Sequence, residues 1–208
     1  MLHAEARGQP ATVVLVVGGV EEALAVAAEA VVVAVVPQVV GNRSIMMKSK
    51  LKQITRIAAL EGYLLRRRHF NEQVLAQVAE RIKRGESSHS GELVVAIEAI
   101  MPNHEPVAHL RALEVYGRLR VWDTPLNSGV LLYLALDRQA IEIIADRGIS
   151  VANAQWQQVC VDLQVRYAKA DYTNGLMDAI DTIQALLKEH APQGDNDANV
   201  LPNQPVFI

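Results

Sequence analysis

The stretch "DTPLNSGVLLYLALDRQAIEIIADRG", residues 123–148, restricts the fold more than any other part of the chain. Two apolar runs, Val130–Leu136 and Ile141–Ala145, flank a tight "DRQ" and so predict a hairpin of two antiparallel strands. Upstream, "ELVVAIEAI" at 92–100 is too continuously apolar to expose one face, which predicts a buried strand. Between that strand and the hairpin come a chain break at "MPNHEP" and a helix with Ala108, Ala112, Val115, Leu119 and Trp122 on one side. A connection of that length makes the first two strands parallel and the third antiparallel to the second.

Helical patterns lie on both sides of this block. Asn71 is placed to cap a helix with the stripe Val74, Leu75, Val78 and Ile82, Phe70 is placed to staple onto Leu75, and Gly85 closes it. Downstream come the stripe Trp156, Val159, Cys160, Leu163, Tyr167, a break at "KADYTNG", and the stripe Leu176, Ile180, Ile183, Leu187. The order α-β-α-β-β-α-α predicts an α/β fold, a two- or three-layer sandwich with a small mixed sheet covered by helices. Half of the 208 residues are hydrophobic and only 4% are aromatic, so its core must be aliphatic.

Four segments follow from composition. Residues 1–46 are a Val/Ala-rich low-complexity extension, interrupted by Glu21, Glu22 and Glu29 and so short of the roughly 20 apolar residues that a membrane span needs. It is expected to be non-native, with the start at Met46 or Met47. Residues 47–69 are a basic amphipathic helix, in which Lys48, Lys50, Lys52, Arg56 and Arg66–Arg68 alternate with Leu51, Ile54, Ile57, Leu60 and Leu64. Its two readings are a helix packed on its own domain with a solvated basic face, and a helix whose residues 48–68 rest on a protein partner or a membrane surface. Residues 70–190 are the domain proper. The remainder, 191–208, is a polar, Pro-containing flexible tail that is mobile or docks late.

A net charge of -3 and the lack of basic-aromatic interleaving give no pull toward nucleic acid. The phosphate-loop, dinucleotide, zinc-protease and nucleophile-elbow motifs are all missing. His89, His104 and His109 are too sparse for zinc and read as solvated loop histidines. Cys160, the sole cysteine, lies in a helical apolar stripe and reads as a small buried hydrophobe rather than a nucleophile.

Strand directions carry the main functional expectation. The start of strand one (Ser90, Glu92), the approach to strand two (Asp123, Asn127) and the end of strand three (Asp146, Arg147) should share one rim of the sheet. Glu92, Asp123, Asn127 and Asp146 offer hard oxygen ligands of the kind that suit a divalent cation such as Ca2+ or Mg2+, and Arg147 is the candidate catalytic residue, beside them to pair with a phosphate. The competing reading makes Asp123 and Asn127 turn formers and Asp146–Arg147 a surface pair. Ligand sites of parallel sheets also favour the carboxyl ends of strands, whereas this rim is the amino end of two.

"HSGELVVAIEAI", "RALEVYGRLRVWDTPLNSGVLLYLALDRQAIEIIADRGI" and "YTNGLMDAIDTI", in that order, resemble the TPM-domain family over about residues 70–190. The chain is similar to short bacterial members without a transmembrane anchor. The resemblance implies an α/β/α sandwich and, as in some members, a divalent-cation site with weak acid phosphatase activity in an acidic cleft. The family's Asn-Gly element matches Asn127, Ser128 and Gly129 with one residue inserted, and its polar turn matches Asp146, Arg147 and Gly148. The expected function is therefore a TPM-domain module, non-catalytic, that binds a divalent cation and docks on a protein or membrane-associated complex. The alternative is a metal-assisted phosphomonoester hydrolase. The expected location is the cytoplasm, with the basic helix as the means of peripheral membrane contact.

Overall fold

The computed structural model describes residues 56–191 and 200–208. The extension 1–46, its expected start site and the basic residues Lys48, Lys50 and Lys52 lie outside the described residues. Among the described residues nine elements follow in order: α1 (Arg56–His69), α2 (Glu72–Glu86), β1 (Glu92–Glu98), α3 (Ala108–Arg118), β2 (Gly129–Ala135), β3 (Ala140–Ala145), α4 (Asn153–Ala168), α5 (Tyr172–His190) and β4 (Val206–Phe207).

The strands form one open sheet in the order β3-β2-β1-β4. β1 and β2 are parallel in the register Glu92↔Gly129, and β2 and β3 are antiparallel in the register Val130↔Ala145. The expected hairpin closes through Leu136–Gln139, where the Gln139 N–H donates to the Leu136 carbonyl at 3.3 Å and Gln139 takes a left-handed φ of 52°, as hairpin loops of this length often require.

Because strand side chains alternate, the sheet builds two cores. Leu93, Val95, Ile97, Val130, Leu132, Leu134, Ile141 and Ile143 face α2, α4 and α5. Val94, Ala96, Leu131, Tyr133, Ala135 and Ile144 face α3. Helices on both faces make this the expected α/β/α sandwich. Burying each of these Leu or Ile side chains contributes about 1.5–3 kcal/mol, and nearly all of the strand residues are buried.

The helix caps and stripes follow the sequence with three differences. Asn71 accepts the Val74 N–H at 3.0 Å, and Phe70 and Leu75 are buried in one cluster. Trp122, expected on the inner side of α3, is 49% exposed, because α3 ends before it. Arg120 there adopts φ 53°, and the Val121 N–H turns back to the Tyr116 carbonyl at 3.1 Å, a C-terminal cap of the Schellman type. "YTNG" opens α5 rather than breaking the chain, the break being confined to Lys169–Asp171, with Ala170 at φ 60°.

The third difference concerns α1. Its apolar residues Leu60, Tyr63 and Leu64 are exposed at 59%, 50% and 54%. It docks instead through the buried Ala58 and Gly62, with Leu65 partly buried against the core of α2, α4 and α5. A Cβ at Gly62 would lie 2.0 Å from the Ala99 carbonyl oxygen, so only glycine lets this helix approach the exit of β1. Of the expected flexible tail, residues 200–208 lie along the sheet, with β4 pairing in parallel with β1. A two-residue strand has too short a pattern to be read from sequence.

Candidate functional site

The expected rim exists as a backbone assembly. The Glu92 N–H donates to the Ser128 carbonyl at 3.0 Å, Asp146 N–H to Gly129 at 2.9 Å, and Gly148 N–H to Asn127 at 2.8 Å. The Ser128 hydroxyl reaches the Ser90 carbonyl at 2.7 Å. Asn127 sits at φ 51° in a turn closed by Thr124, whose hydroxyl accepts the Ser128 N–H at 2.8 Å. Strand order and direction therefore bring Ser90, Glu92, Asn127 and Asp146 to one edge.

Their side chains do not all converge. Glu92, Gly129 and Asp146 form one row across three strands on the α3 face, so the outer two stand about two strand spacings, roughly 9.5 Å, apart. The middle position is filled from above, since a Cβ on Gly129 would lie 1.9 Å from the Val121 carbonyl oxygen. The Glu92 carboxylate turns away from Asp146 and accepts the N–H groups of Val200 at 3.1 Å and Leu201 at 2.6 Å. Asp123 and Arg147 are exposed, and Asn127 is half-buried. Among the described residues, no three His, Cys, Asp or Glu side chains gather closely enough to hold a metal ion.

Asp146 stands out within this row. It is 6% exposed, and its Oδ1 accepts the Arg147 N–H at 2.7 Å. Its Oδ2 is buried without a hydrogen-bond partner among the described residues, and so is the Tyr116 hydroxyl. The two are electrostatic neighbours. Burial, then the charge of Asp146, then a hydrogen-bonding interaction with it that falls short of ideal geometry, push the Tyr116 phenol well above its ordinary range. A buried oxygen pair without good hydrogen-bond geometry is uncommon and costly.

A second polar cluster lies at the opposite, carboxyl end of β1, also under α3. Arg111 donates to Glu98 through Nε at 3.1 Å and Nη2 at 2.7 Å, and the Tyr133 hydroxyl donates to Glu98 as well. The bonds to Glu98 hold the Arg111 guanidinium protonated, while burial, then the Glu98 bond, raises the Tyr133 phenol. Glu142, paired across from Tyr133, lies 3.4 Å from His109 Nδ1. No motif marks this cluster in the sequence. Its one local signal is a pair of carboxylates, Glu98 and Glu142, inside otherwise apolar strands.

His89 and His109 differ from expectation, while His104 is a solvated loop residue as expected. His89 is 2% exposed, with Nε2 against Gln184 Oε1, and burial lowers its pKa. It is a core residue because the turn after α2 folds under α5. His104 is exposed beside Glu114. Cys160 is buried as expected, and burial, then the charge of Glu142, pushes its thiol up to about 12.

Among known proteins, the family model of the TPM domain matches residues 67–186, more than half of the chain. The chain belongs to the TPM-domain family. No functionally curated protein matches it. It is similar to the NMR structure of the BA42 protein from the psychrophilic bacterium Bizionia argentinensis, with a TM-score of 0.60 and 26% identity over 66% of this chain and 94% of that one. In this TPM domain no helix among the described residues is long and apolar enough to cross a membrane.

Proposed function

We propose that this TPM domain is a non-catalytic binding module that takes a divalent cation, Ca2+ or Mg2+, at Asp146 and docks through α1 on an anionic membrane surface or protein. The observation that carries the cation is the buried Asp146 Oδ2, which has no well-formed hydrogen bond among the described residues and has the Tyr116 hydroxyl as a polar neighbour. Hard cations complete their shells with carbonyl, amide and water oxygens beside a carboxylate, so Asn127 and its turn are suitable neighbours, with Asp123 at the loop entrance. Glu92, engaged by Val200 and Leu201, is the weakest member of the expected ligand set. The Tyr116 hydroxyl and an ordered water are the competing partners of that oxygen.

Docking is supported by the face of α1. Leu60, Tyr63, Leu64, Arg67 and Arg68 recur at helical spacing and are all exposed, which joins an apolar patch to a dibasic end.

Calorimetric titration of Ca2+, Mg2+ and Mn2+ into the purified chain tests the cation site. Saturable heat that is lost in Asp146→Asn is the expected outcome, whereas no heat, or heat the variant retains, means that Asp146 holds no cation. The phosphatase alternative would route a phosphate ester to Arg147 with the cation polarising it. It predicts hydrolysis of a generic phosphomonoester that also disappears in Asp146→Asn.

A further inference from the structure

Residues 200–208 lie outside the stretch matched by the TPM domain, yet they cover the open edge of β1. Their first half is held by carboxylates. Glu92 Oε2 accepts the main-chain N–H groups of Val200 and Leu201, and the Glu86 Oε2 accepts the side-chain amide of Asn203. Glu86 is a bridge, because its Oε1 accepts the β1 amide of Leu93 at 3.0 Å, a group on the edge that β4 does not reach.

The second half adds as a strand. Val206 stands opposite Ala96 and Phe207 opposite Ile97, and the Ile208 N–H donates to the Ile97 carbonyl at 3.2 Å. Pro205 is buried just before the strand, where its missing N–H removes no ladder bond. Arg66 of α1 lies 3.9 Å over the Phe207 ring. Phe207 packs toward the core of α2, α4 and α5, and Leu201 and Ile208 pack toward the core under α3.

Neither core depends on this segment for its interior. The buried members of both hydrophobic clusters lie between Phe70 and Leu187, and Leu201, Phe207 and Ile208 are only partly buried against them. Main-chain pairing on a sheet edge, with side chains read at set positions, is how many domains bind extended peptides.

We propose that the β1 edge, with Glu86, Glu92 and Arg66, is a peptide-binding site whose resident ligand is residues 200–208. Affinity comes from the main-chain bonds to Glu92 and to the β1 edge. Selectivity comes from an amide side chain at the position of Asn203 for Glu86 and an aromatic ring at that of Phe207 for Arg66.

The test uses the full chain carrying a specific protease site within 192–199, cut after folding and dialysed until mass spectrometry shows that the released segment is gone; a segment that dialysis does not remove while the protein stays folded also supports the site. A fluorescent peptide of sequence VLPNQPVFI is titrated into the cut protein and followed by anisotropy. Saturable binding is expected, displaced by unlabelled peptide and weakened about tenfold or more by Phe207→Ala in the peptide and by Glu86→Gln in the protein. Failure to bind while the cut protein keeps its circular dichroism and thermal transition overturns the proposal. So does unfolding on cutting, which makes the segment part of the fold, or equal binding of a scrambled peptide.

Discussion

At neutral pH the His89 ring is neutral and buried against Gln184. Burial places its folded pKa below the ordinary value of 6.5. A depressed histidine contributes stability that is complete above the unfolded pKa and is lost as the pH falls through the folded one, about 1.4 kcal/mol for each tenfold loss of proton affinity on folding. The denaturant midpoint should therefore fall as the pH is lowered below about 6.5, and His89→Gln should flatten that part of the profile. A profile unchanged in the variant would remove His89 as the cause. The sequence could not show this, because "SSHSG" looks like any polar loop. Asp146 is a similar case: its position on the rim followed from strand direction, but its burial beside Tyr116 depends on a separate helix.

At the scale of elements, α1 is the piece whose sequence pattern and placement disagree. Its Leu60 and Leu64 follow a helical stripe that should face a core, yet the helix meets the domain through Ala58, Gly62 and Leu65. The close approach at Gly62 decides the orientation, since backbone there lies where a Cβ would be. Gly62→Val should lift α1 from the exit of β1 at a cost of about 1–3 kcal/mol. Limited proteolysis should then cut within 56–69 while residues 70–190 stay protected. Protection of α1 in the variant would show that other contacts hold it. The caps and stripes of α2, α4 and α5 were legible because each depends on neighbours within a few positions, as with Asn71 and Val74.

For the whole molecule, the exposed face of α1 and the occupied edge of β1 place two candidate contact surfaces on one domain. If α1 docks on lipid, the intact chain should sediment with vesicles containing anionic lipid. Binding should weaken as salt rises, because exposed charges are screened, and Arg67→Glu with Arg68→Glu should reduce it about tenfold or more. Equal binding to neutral vesicles, or none to anionic ones, leaves a protein as the partner. By itself the sequence determined the α/β sandwich, the parallel pair and the hairpin, because alternation, helical periodicity and connection length are local properties of the chain; the family came from the likeness of three ordered motifs and the match over residues 67–186. Only the tertiary structure decided which rim side chains meet. Gly129 beneath the Val121 carbonyl separates Glu92 from Asp146, residues 200–208 take the Glu92 carboxylate, and α3 brings Tyr116 to Asp146. Those outcomes depend on segments far apart in the chain, whose meeting no local pattern encodes.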